Sequence, residues 1–332
     1  MAIALVPSNV PAVMLKTLLD RAQALQRIGV AFESRTLDKN SGQSVILSRA
    51  VNGAISTVPE PEGQNPVTQA MSLESYTGTV QRYSYAYATS TLNAFVNPID
   101  WAEAQAATLE IQVKRTRERI RWLAANSGTN IIYNSPAITT PGTVNGVITL
   151  GRLQKAVQGI EAAQGETFTR ESNGSTKVGT SPVEAGYYCF AHTNAHPDIR
   201  NLPGFTKKAE MSPGNYPAGT FGCVDNIIFV TSPDFNPDAG VGPATTTFFA
   251  TGGLTDVYKF VVVARGALVD INLGGSGGNG WGNAKTWVLD GADKSDPTNA
   301  RLIVSAAWYD LAMLTSFDWA VVIKCAVTAN PA

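Results

Sequence analysis

The chain has 332 residues, of which 44% are hydrophobic and 15% charged, with a formal net charge of −1. That length allows one large or two modest domains with ample core, and the composition excludes a disordered or coiled-coil chain. The neutral balance excludes attraction to a polyanion through a whole-surface field, so any such contact has to be local.

Three cysteines, Cys189, Cys223 and Cys325, are far apart and odd in number. They carry no metal-binding spacing and read as free thiols in a reducing compartment. The opening MAIALVPSNVPAVML has no basic segment and contains two prolines, which makes it a poor signal peptide. The apolar stretch 302–327 contains Asp310 and Asp318 and reads as strands, not a membrane span. The expectation is a soluble intracellular chain with no membrane partner.

Residues 1–12 are small, apolar and proline-containing, an arm with little structure of its own. A short amphipathic helix is predicted over 16–28, stopped by Gly29, followed by a polar connector at 32–42. Residues 44–49 and 77–89 read as strands flanking a proline-rich stretch that carries Glu60 and Glu62. Together they predict a long two-stranded excursion with an acidic tip. On its second strand Gln81, Tyr83, Tyr85 and Tyr87 share one face. A lone hairpin is marginal in water, so the tyrosine row packs either on its own domain or on a neighbouring subunit.

The one long helical signal is 97–128. Asp100 and Glu103 form a capping-box-like pair, and Gly128 is the expected left-handed stop. Ala102, Ala106, Leu109, Val113, Thr116, Ile120 and Leu123 form the predicted buried stripe; Ala104, Ala107, Ile111 and Trp122 form a weaker one. Lys114, Arg115, Arg117, Arg119 and Arg121 crowd the second half, with Glu110 and Glu118 placed as partners for Lys114 and Arg121. These cations read as a solvated face, or as one turned to phosphate or to an acidic neighbour.

Beyond it the pattern is α+β. A loop is expected at 129–147 and a helix at 149–163. Strands are expected at 187–192, 226–231, 258–264, 268–273 and 286–289, with loops at 206–222 and 233–247. Segments 301–314 and 319–327 read as a closing antiparallel pair.

No chemistry assembles. His192 and His196 stand four apart, but the glutamate of a zinc helix is missing and Pro197 follows, so a structural role is expected. The glycine-rich loop 273–282 leads into a strand instead of a helix, unlike a phosphate cradle. Asp290, Asp293 and Asp296 lack the glycine and terminal glutamate of a calcium loop. No serine has a nucleophile setting. No catalytic residue, cofactor or metal is expected, and the chain reads as a non-enzyme.

Four stretches carry a resemblance through their order and spacing. They are LLDRAQALQRIGVAFESRTLDKNSGQSVILSRAV, LAANSGTNIIYN at the end of the long helix, AHTNAHPDIRNLPGF with GCVDNIIFVTSPDF, and ARLIVSAAWYDLAMLTSFDWAVVIKCAV. In this order the chain resembles the coat proteins of tailed bacteriophages with the HK97-like fold, and more narrowly the major capsid family typified by the phage N4 coat protein. The resemblance implies an N-terminal arm and short helix (1–43), an extended β-hairpin loop (44–96), and a spine helix with most of a peripheral domain (97–200). An axial domain (201–298) and C-terminal strands returning to the peripheral domain (299–332) complete it.

It further implies a shell subunit forming pentamers and hexamers around double-stranded DNA, in the virion and, during assembly, in the host cytoplasm. Its partners would be itself, a portal protein, scaffold and decoration proteins, and packaged DNA through non-specific contact. Glu60, Glu62, Tyr83, Tyr85 and Tyr87 are then candidates for subunit interfaces. Lys114, Arg115, Arg117, Arg119 and Arg121 are candidates for the inner surface or an interface. The alternative is an encapsulin-like nanocompartment shell of the same fold with protein cargo.

Overall fold

The computed structural model describes residues 27–38, 42–51, 70–90, 101–168, 186–211, 216–273, 285–289 and 301–329, with isolated positions at 57, 59 and 62–63. The expected N-terminal arm, most of the first helix, most of the hairpin tip, the Asp100 cap, the glycine-rich loop and the Asp290 to Asp296 turn lie outside these residues.

The strands, in chain order, are β1 (Phe32–Leu37), β2 (Ser44–Ala50), β3 (Leu73–Thr79), β4 (Gln81–Ser90), β5 (Ile131–Tyr133), β6 (Tyr187–His192), β7 (Thr206–Lys207) and β8 (Thr220–Val224). They continue with β9 (Ile227–Ser232), β10 (Ala250–Thr251), β11 (Leu254–Thr255), β12 (Tyr258–Val263), β13 (Leu268–Leu273), β14 (Lys285–Leu289), β15 (Arg301–Leu314) and β16 (Ala320–Cys325). The helices are α1 (Trp101–Ala125), α2 (Leu150–Ala162) and the short α3 (His196–Arg200).

Two larger sheets organise the chain. The seven-stranded one runs β5-β16-β12-β6-β9-β8-β7. Its central strands are continuous apolar runs, as strands buried on both faces must be; Phe229, Phe260, Val262 and Ile323 on one face pack under Leu153, Ala156 and Ile160 of α2. The opposite face, with Tyr188, Phe190, Val230, Val261 and Val322, packs against Trp122 and Ala125 at the end of α1. This sheet draws strands from 97–200, from 201–298 and from 299–332.

The five-stranded sheet is built on β15, which pairs antiparallel with β13, β14 and β4, while β1 adds parallel to β13. Alternation along β15 decides its two faces. Val304, Ala306 and Trp308 pack under Ala106, Leu109 and Val113 of α1. Tyr309, Leu311 and Met313 join Val80, Val269 and Ile271 on the other face, where Val45 and Leu47 of β2 also lie. Helix α1 therefore spans about 37 Å and bridges both sheets.

Several expectations change. Residues 32–37 are not a connector but an edge strand, because β13 supplies a parallel partner for their backbone. Gly29 sits inside a single 3-10 turn, Ile28–Ala31; nearly all of the helix it was expected to stop lies outside the described residues. The second strand of the excursion is two strands. β3 pairs with β2 in full register, then Val80 turns into the core with its N–H donated to the Gln43 carbonyl, and β4 joins β15. Segments 301–314 and 320–325 do not pair with each other. A 3-10 turn at Phe317–Trp319 carries the chain from one sheet to the other. The segments expected as loops at 129–147 and 206–222 contain β5, β7 and the start of β8. Gly128 is absent from the residues of positive φ and lies buried, where a Cβ would stand 3.4 Å from Leu314 Cδ2. Ser127 closes the helix instead, its N–H and hydroxyl both donating to the Ala124 carbonyl.

Candidate assembly surface and the charged spine

The β2–β3 hairpin has one covered and one open face. Register places Val45, Leu47 and Arg49 inward and Ser44, Ile46, Ser48 and Ala50 outward. Its root is fixed to the body: Arg49 Nη1 donates to Ser316 Oγ at 2.5 Å and its guanidinium stands 4.2 Å over the Trp319 ring. Tyr76 approaches Phe317 at 5.8 Å between ring centres. Gly78 packs closely on β15, where an added Cβ would meet Leu311 Cδ2 at 2.7 Å and displace that side chain. The outward face carries Ile46 and Leu73, 65% and 56% exposed, and Met71 just before β3 is 72% exposed. Three of the most exposed large apolar side chains among the described residues thus lie on or beside one small element.

Tyr83, Tyr85 and Tyr87 do share a face, and it is the face under α1. Tyr83 stacks on Trp308 at 5.8 Å, and the Tyr85 hydroxyl lies 3.1 Å from Thr116 Oγ1. The Tyr87 hydroxyl accepts from Gln112 Nε2. Tyr83 and Tyr87 are half-buried in their own subunit; Tyr85 remains 40% exposed. Glu62 is exposed in a turn, and Glu60 lies outside the described residues.

The buried face of α1 differs from the predicted stripe. It runs through Ala106, Leu109, Glu110, Val113, Lys114, Glu118, Arg121, Trp122 and Ala125. Ile111 and Leu123 point outward at 46% and 56% exposure. The helix therefore buries charges and exposes apolar groups, and each of these buried charges is compensated. Lys114 Nζ meets Glu110 Oε1 at 2.7 Å, as the spacing predicted. Arg117 Nε lies 3.6 Å from Asp310 Oδ2, and Arg121 Nη2 lies 2.5 Å from Asp270 Oδ2. Glu118 accepts the backbone N–H groups of Arg27 and Ile28 at 3.2–3.3 Å, so it anchors the entering chain. Burial pushes Glu118 up to about 7 despite those bonds. Lys114, Arg117 and Arg121 are thus internal ion-pair partners, not a phosphate-facing surface. Arg119 is half-buried. Arg115 is 66% exposed beside Asp234 at 2.8 Å.

The histidines are structural. His192 Nδ1 accepts the Asn194 N–H at 3.0 Å. The His196 ring stacks flat on Phe221 at 3.9 Å, with Nε2 2.9 Å from Thr231 Oγ1. Burial lowers the pKa of both. Among the described residues no group of His, Cys, Asp and Glu is placed to hold a metal, and no helix is long and apolar enough to cross a membrane. Burial pushes the Cys189 and Cys325 thiols well up, which keeps them protonated and unreactive.

No family model and no curated protein matches the sequence. The backbone does find structures of similar fold. The capsid of Ralstonia phage GP4 superposes with a TM-score of 0.61 at 12% identity, over 91% of this chain and 89% of that one. The capsid of cyanophage Pam1 gives 0.59 at 11%, over 92% and 94%. That of cyanophage P-SCSP1u gives 0.56 at 14%, over 90% and 87%.

The chain has the HK97-like fold of phage capsid proteins.

Helix α1 lies within the segment expected as the spine helix, and β2–β3 within the one expected as the extended loop. What sequence reading missed is that charged residues of α1 are buried against β13 and β15, and which face of the β2–β3 hairpin is open. Strict four-residue spacing of Glu110, Lys114, Glu118 and of Arg117, Arg121 was the available signal for the first, and it points to one helix face. Ile46 alternating with Val45 and Leu47 was too short a pattern to reveal the second.

Proposed function

We propose that this chain is a major capsid protein that assembles into the icosahedral shell of a tailed bacteriophage. The observation that carries the reading is the extended-loop root. The subunit holds out a hairpin tied to its body through Arg49 and Ser316, with Ile46, Met71 and Leu73 uncovered. A ring or shell closes through contacts in which different patches of neighbouring subunits meet, and a projecting apolar hairpin supplies one such patch. The fold shared with phage capsids over nine-tenths of the chain supports the same reading. The role is structural, without catalysis. The natural partners are further copies in pentamers and hexamers, a portal protein, scaffold and decoration proteins, and packaged double-stranded DNA met without sequence readout. The narrower likeness to the phage N4 coat-protein family rests on the order of the sequence stretches. The site of action is the virion shell, reached from the host cytoplasm.

Expression with and without neighbouring phage genes, followed by electron microscopy and analysis of particle contents, tests this. Capsomers or shells that package DNA support it. Shells filled by a protein cargo indicate the encapsulin-like alternative, and a chain that stays monomeric under every assembly condition refutes both.

A further inference from the structure

Beneath the spine helix two carboxyl groups share one buried space. Asp270 on β13 and Asp310 on β15 are each 1% exposed. In the antiparallel register Asp270 opposes Ala312, which puts Asp310 diagonally adjacent on the same sheet face, toward α1. Two arginines one helical turn apart reach down to them, Arg117 to Asp310 and Arg121 to Asp270. The remaining oxygen of each carboxyl, Oδ1, is buried with no hydrogen-bond partner among the described residues.

Two buried, uncapped carboxylate oxygens side by side are costly, through both desolvation and like-charge repulsion. A single proton resolves both: one carboxyl becomes a donor and hydrogen-bonds the other. We infer that Asp270 and Asp310 form a proton-operated latch that holds the spine helix to the five-stranded sheet, engaged when they share one proton and loosened when both are ionised.

The groups facing the pair are accounted for element by element. The spine helix supplies Arg117 and Arg121, with Glu118 near Arg121. On β4 Tyr83 lies close enough to feel the Asp310 charge, and Gln81 opposes Asp310. On β1 the residue opposite Asp270 is Ser34, which is uncharged. Burial first, then the neighbouring Asp270 charge, raises Asp310 to about 7; Arg117 and Arg121 oppose this without cancelling it. The sign follows. A carboxyl whose proton is held more tightly in the folded state contributes stability below its unfolded value, and loses it as pH rises through the folded value. Between about pH 4 and 7 this one proton changes the folding equilibrium by up to about tenfold per pH unit, and above about 7 its effect is flat. Glu118 adds a slope of the same sign; the two histidines, lowered by burial, oppose it at acid pH.

The test uses the full-length chain as wild type, Asp310→Asn and Glu118→Gln. The side-chain amide that Asp310→Asn introduces can donate to Asp270 without titrating. Thermal unfolding and amide exchange of 101–125 are followed from about pH 5 to 8. In wild type and Glu118→Gln, stability falls and exchange of the spine helix, corrected for intrinsic rate, rises toward neutral pH. In Asp310→Asn the one-proton share of that slope is gone. Equal slopes in wild type and Asp310→Asn overturn the latch. Infrared difference spectra keep the question open to test if Asp310→Asn does not fold. The carbonyl band of a protonated carboxyl must be present near pH 6 in Glu118→Gln and vanish above neutrality. Its absence there, or its loss on Glu118→Gln substitution alone, overturns the proposal.

Discussion

Replacing Ile46 by Lys isolates assembly from folding. Ile46 sits mid-strand on the outward face of the loop root, opposite Thr77, and leaves 65% of its surface in water. Full burial of an isoleucine side chain is worth about 1.5–3 kcal/mol, so covering the exposed two-thirds against a neighbour is worth about 1–2 kcal/mol. In the separate subunit none of that is realised, and an exposed substitution of this kind shifts stability by no more than about 0.5 kcal/mol. In a shell every subunit presents one such face. Loss of about 1–2 kcal/mol per contact weakens each by about five- to thirtyfold, and a lysine ammonium in the same place adds a desolvation cost. Light scattering against subunit concentration should therefore show the assembly threshold of Ile46→Lys raised about tenfold or more, while the melting temperature of the unassembled chain is unchanged. An unchanged threshold would refute the claim that this face is buried between subunits. A large drop in melting temperature would show that the residue serves its own fold.

Other perturbations separate the interior from the surface. Trp308→Ala empties a fully buried site between β4 and α1 and should cost about 3–5 kcal/mol by denaturant unfolding. Arg121→Ala leaves Asp270 buried without its partner and should cost about 3–5 kcal/mol, whereas Arg115→Ala, on an exposed pair, should change stability by less than about 1 kcal/mol. Gly222→Ala puts a Cβ 2.5 Å from the Thr206 carbonyl and should destabilise by about 1–3 kcal/mol, read as a lower unfolding midpoint.

Much of the fold was legible because its signals are local. Tyr187–His192 is an apolar run of strand length, Leu268–Leu273 is a strand-length segment broken only by Asp270 and Asn272, and Leu150–Ala162 carries an apolar face; each lies where the sequence placed it. What failed was pairing. The runs at 301–314 and 320–325 are adjacent and separated by a turn, which favours a hairpin on sequence alone, but the turn redirects the chain between sheets. Residues 32–37 look polar because they are an edge strand, exposed over most of their length. The spine helix misled in the opposite sense. Hydrophobic periodicity found Ala106, Leu109 and Val113, which are buried, but also picked out Leu123 and Ile111, which are exposed, because part of the buried face is charged: Lys114 pairs with Glu110 within the helix, and Arg117 and Arg121 meet carboxylates on β15 and β13. The tyrosine row was placed on one face correctly, yet that face meets Thr116 and Gln112 of the subunit's own helix.

The central claim is that the outward face of the β2–β3 hairpin is an intersubunit contact in a closed shell. A cryo-electron microscopy reconstruction of assembled particles at side-chain resolution tests it directly. The account predicts icosahedral shells in which Ile46, Met71 and Leu73 are covered by a neighbouring subunit while the Arg49–Ser316 anchor is kept. Shells in which those side chains remain in solvent, or failure to form shells with the phage's own assembly partners present, would contradict it.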